Sequence, residues 1–164
     1  KKNIEPPRTV HPLRAIRPDE ADRAAWIASQ SFKDYHGHYH ADPRLDDNLC
    51  DDVYTDWANR VAKDDNTNYT FGAEDATGKL ISFATLRMNN PAEVEGVLYA
   101  VAPEAQRQGV YYAMIHHSIE WGEQQGAQQF VISTQITNIV VQKVWARVGL
   151  EFDRAYYTFH KWFD

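Results

Sequence analysis

The chain has 164 residues, which favours a single domain with room for its own hydrophobic core. Its formal net charge of −6 argues against nucleic acid as the main partner, because a phosphate backbone needs a basic face. No apolar run approaches the ~20 residues that span a bilayer, and no secretory leader is evident, so we expect no membrane partner. Cys50 is the only cysteine, which excludes an internal disulfide and fits a reducing, cytoplasmic location.

The first half of the chain predicts an extended lead-in over residues 1–12, followed by one domain over 13–164. A helix is expected from Pro18 to about Phe32, because proline and acidic residues favour a first helical turn. The expected elements of this half are a strand at 13–16, that helix, a loop YHGHYHADPR at 35–44, a helix at 47–62, and a hairpin of strands 68–73 and 80–87.

The second half alternates strand-like and helix-like segments. The expected elements are a strand at 94–101, a helix at 110–125 capped by Gly126, a strand at 130–134, a helix at 139–148 ended by Gly149, and strands at 152–155 and 157–162. This order predicts a mixed α/β (α+β) layer fold.

The turn Gln106-Arg107-Gln108-Gly109 lies between a predicted strand and a predicted helix. The first turn of a helix leaves backbone N–H groups unpaired, and the helix dipole adds partial positive charge there. A diphosphate can accept hydrogen bonds from those groups. Neither the dinucleotide-binding GxGxxG pattern nor the P-loop pattern is present. The turn therefore indicates an anion site, with a plain strand-to-helix connection as the alternative.

The region from Glu95 to Leu150 resembles the GNAT superfamily of acyl-CoA-dependent N-acetyltransferases. The resemblance rests on a strand ending V-x-P-E, the turn Q-x-x-G, a helix, a strand, Asn138, and a helix ending Arg-Val-Gly-Leu. It extends over about residues 13–163. It implies the GNAT fold, with a mixed, mostly antiparallel central sheet of about six or seven strands and about four helices. It also implies acetyl-CoA as the acyl donor.

In that family, the turn wraps the diphosphate of coenzyme A, and the position of Tyr111 is usually small. Asn138 matches the residue that hydrogen-bonds the pantetheine arm, and residues 99–101 match the strand that pairs with it. The CoA-binding residues implied by the resemblance are Tyr99, Val101, Gln106, Arg107, Gln108, Gly109, Val110, Tyr111 and Asn138.

A narrower similarity joins residues 32–57, the motif Thr134-Gln135-x-x-Asn138 and the ending YYTFHKW. These look like bacterial N-acetyltransferases that act on nucleotide-linked (dTDP or UDP) amino sugars in surface-polysaccharide synthesis. The expected acceptor is therefore the primary amine of a nucleotide-linked amino-deoxy-sugar. The alternatives are acetylation of a protein, a polyamine or an antibiotic, and a non-catalytic acyl-CoA sensor.

Acyl transfer to an amine needs a base, a donor for the oxyanion and a proton for the departing thiolate. Glu95 matches the catalytic glutamate of the histone-acetylating branch, and Glu93, which shares its strand face, is the alternative base. A solvated acid at the strand end is the alternative for Glu95. The oxyanion donor is expected to be an N–H near Ala100 or Val101.

The usual proton donor is a tyrosine on the helix after Asn138, but this chain has Trp145 at that position. An indole cannot act as an acid at neutral pH. Tyr157, His160 or water is therefore expected to take that part. Trp145 is interpreted as core or as a wall of the acyl pocket.

The loop at 35–44 matches the part of the fold where GNAT enzymes build acceptor sites, and His40 is the candidate amine base within it. Its expected acceptor-binding residues are Tyr35, His36, His38, Tyr39 and Arg44, where Arg44 pairs a diphosphate bidentately. The alternating histidines with Asp42 or Cys50 also allow a zinc site, although no metal is expected. Trp162 is a candidate for a subunit contact in a homodimer.

Overall fold

A computed structural model gives the structure of the chain and describes residues 10–33, 35, 37–63 and 68–163. Most of the lead-in predicted at 1–12, and His36 of the loop, lie outside the described residues. Within the described ranges, no helix combines the length and apolar character needed to cross a membrane.

The described chain forms five strands and four α-helices, in the order β-α-α-β-β-β-α-β-α. The elements are β1 Leu13–Ala15, α1 Ala21–Ser31, α2 Asp47–Lys63, β2 Asn68–Ala73, β3 Ser82–Asn90, β4 Glu93–Val101, α3 Val110–Gln124, β5 Gln129–Ile132 and α4 Ile139–Arg147. Short 3₁₀ turns at Pro18–Glu20 and Pro103–Ala105 precede α1 and the turn before α3.

The sheet has the order β1-β2-β3-β4-β5. The first four strands are antiparallel to their neighbours. Turns join β2 to β3 and β3 to β4, while α1 and α2 lie between β1 and β2. β5 is parallel to β4, because α3 carries the chain back to the starting end of the sheet. The mixed, mostly antiparallel sheet and the four helices predicted from the sequence are confirmed.

Alternation along the strands gives the sheet two apolar faces. One face packs against α1 and α2 and includes the fully buried Phe83. The other includes Phe71 and Leu86 and packs against Met114 of α3, and all three side chains are fully buried. α4 contains no buried residue, so it lies beside these two layers rather than within them.

A β-bulge interrupts β4 at Val97. Leu98 faces Thr85 and Gly96 faces Leu86, so Val97 is an extra residue in its strand. Pairing with β5 also stops at this point, at the pair Gly96–Ile132. β4 continues to Val101, and its last residues therefore present an open edge on the side of β5.

The strands predicted at 152–155 and 157–162 do not form, so the sheet has five strands rather than six or seven. Residues 151–163 are exposed and lack regular structure. Alternation of apolar residues favours a strand only where a strand edge pairs with it. Instead, the end of this tail is held by side-chain bonds from His160 and Trp162 to Asp42.

Candidate functional site

The open edge of β4 exposes backbone groups that no strand pairs. The N–H of Ala102 donates to the carbonyl oxygen of Ile81 at 2.8 Å, on the β3 side. Because successive N–H groups of a strand alternate in direction, the N–H of Val101 points to the opposite, open edge. Its carbonyl oxygen accepts hydrogen bonds from Ser31 Oγ at 2.9 Å and Gln106 Nε2 at 3.2 Å. The end of α1 therefore touches the open edge.

The turn after β4 is built from two residues in the left-handed region, Arg107 with φ 62° and Gly109 with φ 78°. A Cβ added at Gly109 would meet no atom within 4 Å, so the space beside the turn is open. The first carbonyl to enter the helical ladder is that of Gly109, which accepts from Ala113 N at 3.0 Å. The amides of residues 110–112 therefore have no acceptor within α3 and are available to an anion.

Glutamine side chains brace this turn. Gln106 bonds to β4 as described, and Gln108 Nε2 donates to the carbonyl oxygen of Glu104 at 2.7 Å. Gln108 Oε1 lies 3.3 Å from His11 Nε2. Arg107 is exposed and carries the positive charge of the turn. Of the residues predicted to bind the diphosphate, Gln106 and Gln108 therefore hold the backbone of the turn, and Arg107 presents its charge to solvent.

Tyr99 and Tyr111 lie together on the α3 face of the sheet. Their rings meet edge to face, with centroids 5.9 Å apart. Tyr99 Oη bonds to Ser118 Oγ at 2.8 Å, and burial raises the pKa of the Tyr99 phenol. Trp145 Nε1 donates to Tyr111 Oη at 3.0 Å, which joins α3 to α4. The bulky side chain at 111 is therefore directed towards the sheet and α4.

Asn138 begins α4. Its Oδ1 accepts from Val141 N at 3.4 Å, and its Nδ2 donates to Thr134 Oγ1 at 3.1 Å. Both ends of the amide hold the segment between β5 and α4, as expected of an N-cap. Its predicted bond to the pantetheine arm stays a prediction.

Glu95 lies on β4 opposite Arg87, and Arg87 Nη2 contacts Glu95 Oε2 at 2.5 Å. Its side chain is 26% exposed, while that of Arg87 is 50% exposed. Ion pairs this exposed contribute little and open readily. Glu93 accepts a hydrogen bond from Asn89 Nδ2 at 2.9 Å. Both acids are therefore held by neighbours on β3.

The loop after α1 starts on an aromatic cluster. Tyr35 meets Phe32 and Tyr54 edge to face at 5.5 and 5.7 Å, and Phe32 stacks on Tyr54 at 4.3 Å. Burial raises the pKa of Tyr54 to about 12. A Cβ at Gly37 would lie 3.1 Å from Tyr54 Oη and 3.9 Å from Gln135 Nε2. The loop therefore passes close to the segment that follows β5.

His40 is tied within the loop. Its Nδ1 accepts from the N–H of Gly37 at 3.3 Å, so its Nε2 carries the hydrogen that faces Asp51 Oδ1 at 3.0 Å. His38 packs against Tyr39 with ring centroids 4.0 Å apart. Burial, and then the nearby His160, lower the pKa of His38, so it is neutral at pH 7 and retains a nitrogen that can accept a proton.

Asp42 connects this loop to the C-terminal tail. Its Oδ2 accepts from Trp162 Nε1 at 2.7 Å and from His160 Nδ1 at 2.9 Å, while its Oδ1 accepts from the N–H of Arg44 at 3.1 Å. These bonds, the one from Trp162 foremost, hold the pKa of Asp42 well below its usual range. The Arg44 guanidinium lies over the Trp162 ring, 4.6 Å from its centroid.

A cavity of about 470 Å³ lies between the loop, α2 and the tail. It is lined by Tyr39, Leu45, Asp46, Leu49, Cys50, Val53, His160, Lys161 and Trp162. Exposed acids crowd the start of α2 beside it, namely Asp46, Asp47, Asp51 and Asp52. Burial raises the pKa of the Cys50 thiol, so this cysteine stays protonated. The cavity therefore has an apolar wall, its charged lining residues are Asp46 and Lys161, and three further acids follow along the start of α2.

The zinc alternative has no geometric counterpart in the described part of the loop. Across the described ranges, no group of three or more histidine, cysteine or acidic side chains is placed to hold a metal ion. Asp42 is occupied by the tail rather than by His38 or His40.

The sequence did not reveal the Asp42–Trp162 contact, because 120 residues separate the partners and no local pattern links them. Tyr157, the predicted proton donor, is 90% exposed. Tyr111 and Trp145 were singled out separately, and the structure brings them into contact.

Residues 23–150 match the family described as Acetyltransferase (GNAT) family. A possible acetyltransferase from Clostridium difficile 630 superposes with a TM-score of 0.69 at 14% identity, covering 92% of this chain and 97% of that one. A ribosomal-protein-alanine N-acetyltransferase from Brucella melitensis biovar Abortus 2308 gives 0.66 at 13% identity, over 93% and 99%. AAC(6')-Iy, an aminoglycoside N-acetyltransferase solved with the bisubstrate analogue CoA-S-monomethyl-acetylneamine, gives 0.65 at 18% identity, over 93% and 99%.

At these identities, likeness to a solved structure shows the fold alone. No curated protein matches the chain in sequence. Several of the similar structures are named as aminoglycoside or ribosomal-protein acetyltransferases, so the expected kinship with nucleotide-sugar enzymes gains no support from them.

Proposed function

Because the chain belongs to the GNAT family of acetyltransferases, we propose that it transfers the acetyl group of acetyl-CoA to a primary amine of a small cationic acceptor. The family makes it an acyl-CoA-dependent N-acetyltransferase with acetyl-CoA as cosubstrate. The observation that carries the proposal is the open edge of β4, which leads directly into the turn and the amides at the start of α3 that have no partner within the helix. An extended amide-containing arm and a diphosphate need those two surfaces in that order.

The residues proposed to bind CoA fall along this path. The amides at 110–112 and the charge of Arg107 face the diphosphate, and Gly109 gives the turn its shape. The edge from Tyr99 to Val101 offers backbone groups to the pantetheine arm. Asn138 borders the other side of the path at the start of α4.

The N–H of Val101 is the proposed oxyanion donor, because it points to the open edge where the thioester carbonyl lies. Glu95 is the proposed general base, acting directly or through water once its exposed pairing with Arg87 opens. The neutral His38 is the alternative base, because it borders the acceptor loop and can accept a proton.

The acceptor is proposed to enter between the loop at 37–45 and α2. Ser31 binds Val101 immediately before this loop, so the loop begins beside the transfer point. The four acids at the start of α2 outnumber Lys161 at the cavity and attract a cation, and the net charge of −6 acts in the same direction. A cationic amino sugar of the aminoglycoside type, or a polyamine, combines a positive charge with a body that packs on an apolar wall.

The nucleotide-linked amino sugar is the less favoured acceptor. Its diphosphate needs cationic partners. Arg44 is paired with Asp42 and lies over the Trp162 ring, which leaves Lys161 as the cation in the cavity lining. Four acids nearby oppose a doubly charged ligand. A ribosomal-protein amine is a second rival, but it needs an open groove where the tail and the loop lie together.

Thiol release from acetyl-CoA tests these acceptors side by side. The panel is neamine, spermidine, a dTDP-linked amino sugar and a peptide with an N-terminal alanine. We expect kcat/KM for neamine or spermidine to exceed the others at least tenfold, with a KM that rises with salt. Preference for the nucleotide sugar or the peptide would overturn the cationic acceptor. CoA binding without turnover of any amine would favour the sensor.

We also propose that the protein forms a homodimer through its tail. Phe152, Tyr156, Tyr157, Phe159 and Phe163 are 77–90% exposed. An aromatic side chain buries about 150–250 Å² when fully covered, so these five, at their exposed fractions, offer roughly 600–1,000 Å². This is the area that one partner buries in a standard interface, about 800 Å². A second copy of the chain is the partner that this proposal names.

A further inference from the structure

Tyr111 and Trp145 both differ from the residue types expected at their positions, and their side chains are in contact. A large phenol stands where a small residue is usual, and an indole stands where a phenol is usual. The indole Nε1 of Trp145 donates to Tyr111 Oη at 3.0 Å. The phenol missing from α4 is thus replaced, beside α4, by one that originates on α3.

The hydrogen-bond pattern leaves the Tyr111 hydroxyl with a proton to donate. Its oxygen accepts from the indole, and no acceptor for its O–H is found among residues 10–33, 35, 37–63 and 68–163. Tyr99 differs in this respect. Ser118 Oγ donates to the carbonyl oxygen of Met114, so the Tyr99 O–H is used in bonding Ser118 Oγ.

The position of Tyr111 relates this hydroxyl to the acyl path. Tyr111 is the second residue of α3, next to the amides proposed to hold the diphosphate. Its ring packs on Tyr99, which belongs to the stretch of β4 without a β5 partner. The Tyr111–Trp145 bond, which joins α3 to α4, therefore lies beside the unpaired end of β4 along which the arm is proposed to run.

Resting on the proposed function, we propose that Tyr111 donates the proton that the departing CoA sulfur takes up, and that Trp145 positions Tyr111 for this transfer. The amine nitrogen forms its bond to the acetyl carbon and gives its proton to the base. The C–S bond then breaks with its electron pair on sulfur, which takes the Tyr111 hydroxyl proton and leaves as a thiol. The phenolate regains a proton from water.

Burial and the indole bond act on this phenol in opposite directions. Burial raises the pKa of Tyr111, which keeps it in the donating form at neutral pH, while the bond from Trp145 lowers it. That bond also becomes charge-assisted as negative charge develops on the phenol oxygen. The indole bond therefore offsets part of the cost that burial places on the phenolate when it forms.

The first test measures binding and needs no acceptor. Calorimetry compares CoA with desulfo-CoA at pH 9.5, where much of the CoA thiol is ionised. We expect the wild type to bind CoA about tenfold more tightly than desulfo-CoA, and Tyr111→Phe to reduce this ratio below about threefold. Tyr69→Phe removes a phenol on β2 that bonds His117 rather than any part of the proposed CoA path, so it is the control and keeps the wild-type ratio. A wild type that binds both equally, or a Tyr111→Phe variant with the wild-type ratio, would overturn the proposal.

The second test measures turnover with neamine. Tyr111→Phe is expected to lower kcat at least tenfold with a KM for acetyl-CoA within about threefold of wild type. Trp145→Phe lowers kcat less, and the double variant is no slower than Tyr111→Phe, because Trp145 acts through Tyr111. Wild-type kcat in Tyr111→Phe contradicts the proposal. Absence of CoA binding in the wild type contradicts the proposed function instead, and absence of neamine turnover with intact CoA binding contradicts only the acceptor.

Discussion

Asp42 accepts a hydrogen bond from the Trp162 indole at 2.7 Å, and this contact closes the acceptor loop against the end of the chain. Asp42 is 9% exposed, so the loss of its charge leaves indole and imidazole donors with a weaker acceptor. We expect Asp42→Asn to release the tail at pH 7, seen as faster amide exchange at 158–163 and a red shift of Trp162 fluorescence. KM for the acceptor rises, while CoA affinity is unchanged.

The low pKa of Asp42 determines how the binding of the tail changes as the pH falls. A carboxylate whose pKa is lowered by folding stabilises the folded state above its unfolded pKa, about 3.9, and loses this effect as the pH falls through the folded value. The wild-type tail is therefore expected to stay bound down to about pH 4. Asp56→Asn, on the exposed side of α2, is the control. Release of the wild-type tail already at pH 6 would contradict this account.

Gly109 and Gly78 make a matched pair for testing the anion turn. Both have φ near 80°, and a Cβ at either would meet no atom within 4 Å. Alanine in the left-handed region costs about 1–2 kcal/mol, so both variants should lose similar stability in urea. Only Gly109→Ala is expected to weaken CoA binding, by tenfold or more, because it disturbs the amides at the start of α3. Equal CoA affinity in the two variants would locate the diphosphate elsewhere.

Glu95→Gln tests the proposed base. The amide keeps the shape and the contact with Arg87 but cannot take a proton, so we expect kcat/KM to fall by ~10²–10⁴ with CoA affinity retained. Glu93→Gln is the control on the same strand face and should stay within about threefold of wild type. If Glu95→Gln has wild-type activity while His38→Gln is slow, the base is His38.

Secondary-structure elements could be predicted from the sequence where the pattern that defines them lies within the element or at its ends. The hairpin of β2 and β3 follows from two β-rich runs around the Asp75 turn, and α3 follows from Gly109 before it and Gly126 after it, both in the left-handed region. β5 was predicted to reach residue 134, but it ends at Ile132, and this difference creates the open edge. Where a strand ends depends on its neighbour rather than on its own residues.

The site was predictable only in part for the same reason. The turn at 106–109 has its own pattern, so its residues were identified from sequence alone. The partners of Asp42 and Tyr111 lie 120 and 34 residues away, and only the fold brings them together. The two strands predicted in the tail do not form, because alternation of apolar residues along a segment does not determine which strand edge the segment can pair with.

His117 is expected to make stability depend on pH near neutrality. It packs on Phe71 at 4.5 Å and bonds to Tyr69 Oη at 3.2 Å, and burial lowers its pKa. A histidine whose pKa is lowered by folding binds protons more weakly in the folded state than in the unfolded state. Stability is therefore full above about pH 6.5 and declines as the pH falls below it. Urea midpoints from pH 5 to 8 measure this, and His117→Gln should flatten the profile.

Light scattering coupled to size exclusion tests the role of the exposed tail. Two copies that bury the tail aromatics should give twice the chain mass of 18.9 kDa at micromolar concentration. Phe159→Ser with Phe163→Ser removes apolar area from the contact without touching the bonds to Asp42, so we expect a monomer with unchanged CoA affinity. Val10→Ser, an exposed apolar residue outside the tail, is the control and should leave the mass unchanged. A wild type that is monomeric at 100 times its assay concentration would contradict the proposed homodimer.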